Sequence, residues 1–228
     1  MPLVSLDRLD NPMWRRILEQ TLSQAAWLLP PGSRVLEIGY GDGRITADLI
    51  RRLGWSLTGL DIDPEAWRKA RAHLESEGLQ ADLRLVAPDQ TWRHQGRYDG
   101  VFIKTVLYNA RTPDEYASWL DAILSMLAPG GVLVNFENGK ANRLTQIYRR
   151  LAGRYYTDLC LFDGRIRRLY EERFHPLSFG YYGGLSQFLF PLPALYFPVA
   201  ALEENLWERH ADNAFIASVV GRKRETAH

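Results

Sequence analysis

The chain has 228 residues, 46% of them hydrophobic, which supplies one substantial core and sits near the upper size of an ordinary single α/β domain. Its 28 basic residues face 27 acidic ones, so no overall field steers it to an anionic membrane, and no nucleic-acid partner is expected. A lone cysteine, Cys160, excludes an internal disulfide framework and a multi-cysteine metal site and fits a reducing compartment, so the cytoplasm is the expected location.

The opening, MPLVSLDRLDNPMWRR, has acids before its bases and no apolar run of signal-peptide length, so no export signal is expected. Trp14, Ile17, Leu18, Leu22, Ala25 and Leu29 recur at helical spacing, which predicts an entry helix over 13–29, ended by Pro30-Pro31-Gly32. Residues 34–38 predict a short buried strand, the glycine-rich GYGDG a turn, and 44–52 a helix stopped near Gly54. The pattern repeats: strand 56–61, a helix over 64–77 opened by Pro64 and closed by Gly78, and strand 82–86. A fourth strand over 98–104, a helix over 112–127 and a fifth strand over 131–137 follow, the last after a Pro129-Gly130-Gly131 turn. Strands alternating with helices predict an α/β, doubly wound, mostly parallel sheet.

Beyond Gly139 the rhythm changes. Residues 141–175 read as helical and carry eight arginines against four acids, and aromatics then crowd Phe174 to Phe197. Residues 213–220 read as a last strand before Gly221-Arg222-Lys223. The stretch 141–208 is taken as a helical, aromatic-rich cap or insertion on a single domain spanning 1–228. Within it QFLFPLPALYFPVAAL, 187–202, is shorter than the roughly 20 residues of a spanning helix and holds three prolines. It suits the wall of an apolar pocket, with Phe188 and Phe190 as its bulk, or a surface that rests against lipid.

The stretch VLEIGYGDGRIT places Gly39, Gly41 and Gly43 directly behind a strand that carries Glu37. Such a turn lets a ligand lie close on the backbone, and the following helix N-terminus offers unpaired N–H groups. A dinucleotide site wants G-x-G-x-x-G, and its third glycine would fall on Arg44, which weakens that reading. An acid two residues before G-x-G-x-G instead resembles the first motif of class I S-adenosylmethionine-dependent methyltransferases. GLDIDPEAWRKAR, YDGVFIKTVLYNA and LDAILSMLAPGGVLVNF are similar to that family's second, fourth and fifth strand regions, in order, so the resemblance covers roughly residues 30–137.

The resemblance implies a seven-stranded, Rossmann-like methyltransferase sheet, S-adenosylmethionine as methyl donor and a small-molecule acceptor. It implies that Gly39, Gly41 and Gly43 cradle the donor, that Glu37 faces its ammonium and that Asp61 binds the ribose hydroxyls. Ile62 would lie on the adenine face, Asp89 would help place the adenine amine, and Ile103 at the fourth strand would join the cofactor wall. Tyr40, between two loop glycines, would shield the sulfonium or simply pack the loop. Asp61 is free for this role because Asp63, directly before Pro64, fills the helix-capping role. Tyr108 stands where many relatives carry a histidine facing the transferred methyl, and orienting the acceptor is its expected role, since an ordinary tyrosine is a poor base at neutral pH. The family's amine-methylating Asn/Asp-Pro-Pro signature is absent, because that place reads IKTVLYN. The thirteen aromatics between Tyr155 and Trp207 favour an apolar or aromatic acceptor, including a lipid-linked one. A nicotinamide-dependent oxidoreductase and a non-catalytic S-adenosylmethionine-binding protein are the competing readings.

Overall fold

A computed structural model describes residues 12–94, 97–151, 159–184, 186, 189, 193–207 and 211–224. Seven strands form one sheet: β1 (Arg34–Ile38), β2 (Ser56–Asp61), β3 (Asp82–Leu85), β4 (Tyr98–Lys104), β5 (Leu127–Asn138), β6 (Phe174–Tyr182) and β7 (Ile216–Lys223), in the spatial order β3-β2-β1-β4-β5-β7-β6. The first five run parallel, and β7 lies antiparallel between β5 and β6. Strand order reverses direction at β1, so the crossovers on its two sides diverge and open a crevice beyond the carboxyl ends of β1 and β4. That is where a ligand of such a sheet binds.

The connecting helices follow from local signals. Helix α1 (Pro12–Leu28) precedes β1, and α2 (Arg44–Leu53) starts at Gly43 and stops at the left-handed Gly54. Helix α3 (Pro64–Ser76) is capped by Asp63, whose side chain accepts the Glu65 N–H, and has its proline in the first turn. After the short α4 (Pro88–Thr91), α5 (Pro113–Met126) is capped by Thr112 accepting from the Glu115 N–H. Alternation along β5 divides the core: Val132, Val134 and Phe136 pack with Trp14, Leu18 and Leu22 of α1, whereas Leu133 packs with Leu120 and Ile123 of α5.

The carboxyl-terminal part differs from the expected cap in two places. The helical stretch is divided into α6 (Arg143–Leu151) and α7 (Gly164–Arg173), the second begun by Asp163, whose carboxylate accepts the Arg165 and Ile166 N–H groups. Residues 174–182, expected within a helical insertion, are the edge strand β6. Pro176 and a register shift against β7 between Pro176 and Ser178 interrupt its alternation, and an edge strand is where proline is tolerated. Helix α8 (Pro193–Trp207) then crosses back, joined to α1 by the Arg16–Glu204 ion pair.

Candidate functional site

The three glycines of the turn after β1 all have positive φ, and their surroundings differ. Gly39 passes under the loop that follows β4, and a Cβ there would stand 2.5 Å from Val106 Cγ2. Gly43 starts α2 against α3, and a Cβ would meet the Ala70 Cα at 2.8 Å. Gly41, with φ 57°, has nothing within 4 Å of a Cβ position. Packing explains the first and third glycines; the middle one is open, as a cradle for a ligand lying on the backbone must be.

Asp61, at the end of β2, holds this cradle in shape. One oxygen accepts the Gly41 N–H at 2.9 Å; the other accepts the Ile62 N–H at 2.7 Å and the Asp63 N–H at 3.0 Å. Three of about four acceptor positions on the carboxylate are thus taken, which leaves one for a ligand hydroxyl unless the loop adjusts. Ile62 stands out beside it, 53% exposed.

Glu37 lies almost fully buried at the end of β1, with one oxygen accepting the Thr46 hydroxyl of α2 at 2.7 Å. Burial pushes its carboxyl up to about 7, against the Thr46 bond, and the nearby Asp61 adds to the rise while Lys104 opposes it. A cationic ligand group there would restore the ionised form. Tyr40 packs rather than facing the crevice: a Cβ on Gly59 of β2 would touch its ring at 2.6 Å, and its hydroxyl donates to the Arg84 carbonyl at 3.3 Å. Burial raises the Tyr40 hydroxyl further above its ordinary range. Asp89 is exposed on α4 and pairs with Arg93 at 3.8 Å. Ile103 is wholly buried in the α5-side core, so only its backbone is placed to meet a ligand.

The loop after β4 begins with Thr105 at φ 53°, a backbone conformation unfavourable for a β-branched residue, anchored by its N–H to the Phe136 carbonyl at 2.7 Å. A 3₁₀ turn, Leu107–Asn109, then presents the half-buried Tyr108. Sequence reasoning missed what grips this turn. Glu137 of β5, 1% exposed, accepts the Leu107 N–H at 2.9 Å and the Tyr108 N–H at 3.1 Å. The available signal was an acid alternating with Asn135 inside the otherwise apolar VLVNFEN.

Of the arginine-rich stretch, Arg165, Arg167 and Arg173 are engaged by Asp163, Glu171 and Asp121, and the Arg167 guanidinium also lies 4.8 Å from the Phe179 ring centre. Those three serve packing and pairing. The expected aromatic wall at Phe188 and Phe190 lies outside the described residues. Among the described residues, no helix is long and apolar enough to cross a membrane.

Residues 35–131 match the family model of a methyltransferase domain. The matched stretch runs from β1 into β5 and so contains the glycine turn, Asp61 and the loop after β4. The chain's fold is similar to that of the N-methyltransferase NodS from Bradyrhizobium japonicum WM9 in complex with S-adenosyl-L-homocysteine, with a TM-score of 0.66, 20% identity and coverage of 98% of this chain and 94% of that one. The [4+2]-cyclase SpnF is similar to the same degree, with a TM-score of 0.64, 19% identity and coverage of 95% and 85%. In sequence, a ubiquinone biosynthesis O-methyltransferase of Xanthomonas axonopodis pv. citri is 34% identical over 110 residues, 48% of this chain and 44% of that protein. The chain thus matches less than half the length of such curated relatives, and the structural likenesses speak for the fold.

Proposed function

We propose that this chain transfers a methyl group from S-adenosylmethionine to a small apolar or aromatic acceptor. The observation that carries it is the open Gly41, tied by its N–H to Asp61 and flanked by the exposed Ile62 and the buried Glu37. These residues fit the donor: a backbone with space above it, an acceptor for a ribose hydroxyl, an apolar rest for a base, and a carboxyl awaiting a cation. When bound, S-adenosylmethionine supplies a methyl group already activated on a sulfonium.

The protein's own task is then to hold, align and dry the reactants. Effective molarity from alignment alone lowers the barrier by about 7–11 kcal/mol, which is why no nucleophile triad is required. Glu37 and Asp61 bind the donor, while Tyr108, held on the turn beside Val106 and Gly39, orients the acceptor across the crevice. The relatives named O-methyltransferases support an oxygen atom as acceptor. Isothermal titration of the full chain with S-adenosylhomocysteine and, separately, with reduced nicotinamide dinucleotides tests the cofactor assignment. Binding of the first and not the second is expected; the reverse would return the chain to the oxidoreductase reading.

A further inference from the structure

Strand β5 ends in NFEN, and its Asn135 and Glu137 lie in the plane of the sheet's most buried residues, at 0% and 1% exposure. Nothing in the parallel sheet itself calls for an acid there. A leucine would fill the place without the desolvation penalty that raises the Glu137 carboxyl against the backbone bonds it accepts. What the acid meets is one short piece of backbone. Its two oxygens accept the Leu107 and Tyr108 N–H groups, and the Val106 N–H bonds to the same carboxyl. These are the first N–H groups of the 3₁₀ turn, the donors that a turn cannot satisfy from within.

The grip is braced from behind. The Asn135 amide bonds to Glu137 and donates through Nδ2 to the Tyr170 hydroxyl at 2.5 Å. Tyr170 of α7 shares a hydrogen bond with Tyr116 of α5 at 2.7 Å, and both rings are fully buried. On the other side of the turn, the Cys160 N–H bonds to the carbonyls of Tyr108 and Ala110 at 3.0 Å each, just ahead of α7. A polar chain through the interior therefore ties α5, α7 and β5 to one turn. That turn carries Tyr108 and, through Val106, touches Gly39 of the cradle.

We infer that Glu137 is a positioning residue for methyl transfer: from inside the protein it fixes the Val106–Tyr108 backbone, and so sets where the Tyr108 ring meets the acceptor. This rests on the reading that Tyr108 borders the acceptor site. Glu137→Gln keeps the shape but turns an amide N–H₂ toward one backbone N–H, leaving a buried donor unpaired. Tyr170→Phe removes the brace one bond further back and spares the turn's own contacts.

The test uses the full chain labelled with 3-fluorotyrosine, with the Tyr108 fluorine resonance assigned through Tyr108→Phe. The expected result is a shifted or broadened Tyr108 resonance in Glu137→Gln and a smaller change in Tyr170→Phe, with S-adenosylhomocysteine affinity within about twofold of the parent. With catechol as acceptor probe, kcat should fall about tenfold in Glu137→Gln and recover in part in Glu137→Asp. An unchanged Tyr108 resonance in both substituted chains would overturn the inference, as would loss of cofactor affinity in step with rate, which marks Glu137 as a general stabiliser. Failure of the parent to methylate catechol would count against the aryl-hydroxyl acceptor class, while the resonance still decides the role of Glu137.

Discussion

Replacing each of two glycines of one turn by alanine should produce two different defects. At Gly41 the new methyl group enters open space, so the fold loses only the cost of placing an L-residue at φ 57°, about 1–2 kcal/mol. For a chain of this size each kcal/mol lowers Tm by about 2–4 °C, so a fall of about 2–8 °C is expected. At Gly43 the same conformational cost is joined by a methyl group 2.8 Å from the Ala70 Cα and 2.9 Å from its Cβ, so α2 and α3 must separate. Overpacking adds about 1–3 kcal/mol, and the total of about 2–5 kcal/mol corresponds to about 4–20 °C. Affinity should follow the opposite order. Gly41→Ala puts its methyl group where the ligand lies and should weaken S-adenosylhomocysteine at least about tenfold, whereas Gly43→Ala, while folded, should bind within a few-fold of the parent. Thermal melts and calorimetric titrations on the same preparations decide it. Parent-like binding by Gly41→Ala would refute the cradle, and equal melting of the two chains would refute the packing argument.

Asp61→Ala should weaken S-adenosylhomocysteine about 10-fold or more by calorimetry, because a bond to a charged group is worth about 1.5–3 kcal/mol and the Gly41 N–H loses its anchor as well; Asp61→Asn, which keeps one acceptor oxygen, should lose less. Glu37 gives a pH dependence of known sign. Its carboxyl is raised in the folded chain from its ordinary 4.5 to about 7, so the folded state binds the extra proton and the ligand-free protein loses stability as pH rises through that window. Pairing with a ligand ammonium requires the ionised form, so affinity should rise between pH 5 and pH 7 and level off above; a flat profile in the parent, or an unchanged slope in Glu37→Gln, would remove Glu37 from the site. Arg167→Ala should lower Tm by a few degrees through loss of its contacts with Glu171, Tyr181 and Phe179 and leave methyl transfer unaltered; a rise in the acceptor KM would instead assign it to substrate.

The parallel core was legible because its signals are local. Alternation, the Asp63-Pro64 start and the Gly54 stop each act within a few residues, and each stands where the sequence placed it. Strand β6 was not legible, because His175-Pro176 and Gly180 break the alternation that marks a strand, and only pairing with β7 holds it extended. The site divides along the same line. The glycine turn could be read, but not that Gly43 serves the Ala70 contact and Gly41 the open space, since that distinction depends on α3. Tyr40 reads as a loop aromatic with either role; the absent side chain at Gly59, nineteen residues on, is what makes room for its ring on the sheet. Glu137 escaped notice because its partners, Leu107 and Tyr108, lie about thirty residues away and offer only backbone.

The most direct test is a single incubation of the full chain with methyl-labelled S-adenosylmethionine and a panel of phenols, catechols, amines and thiols, followed by separation of products. The account predicts that label appears on a small molecule in equal amount to S-adenosylhomocysteine, and that Asp61→Ala lowers both together. Tight S-adenosylhomocysteine binding without any transferred label across phenolic, amine and thiol acceptors would contradict it, and would leave a donor-binding fold that performs other chemistry.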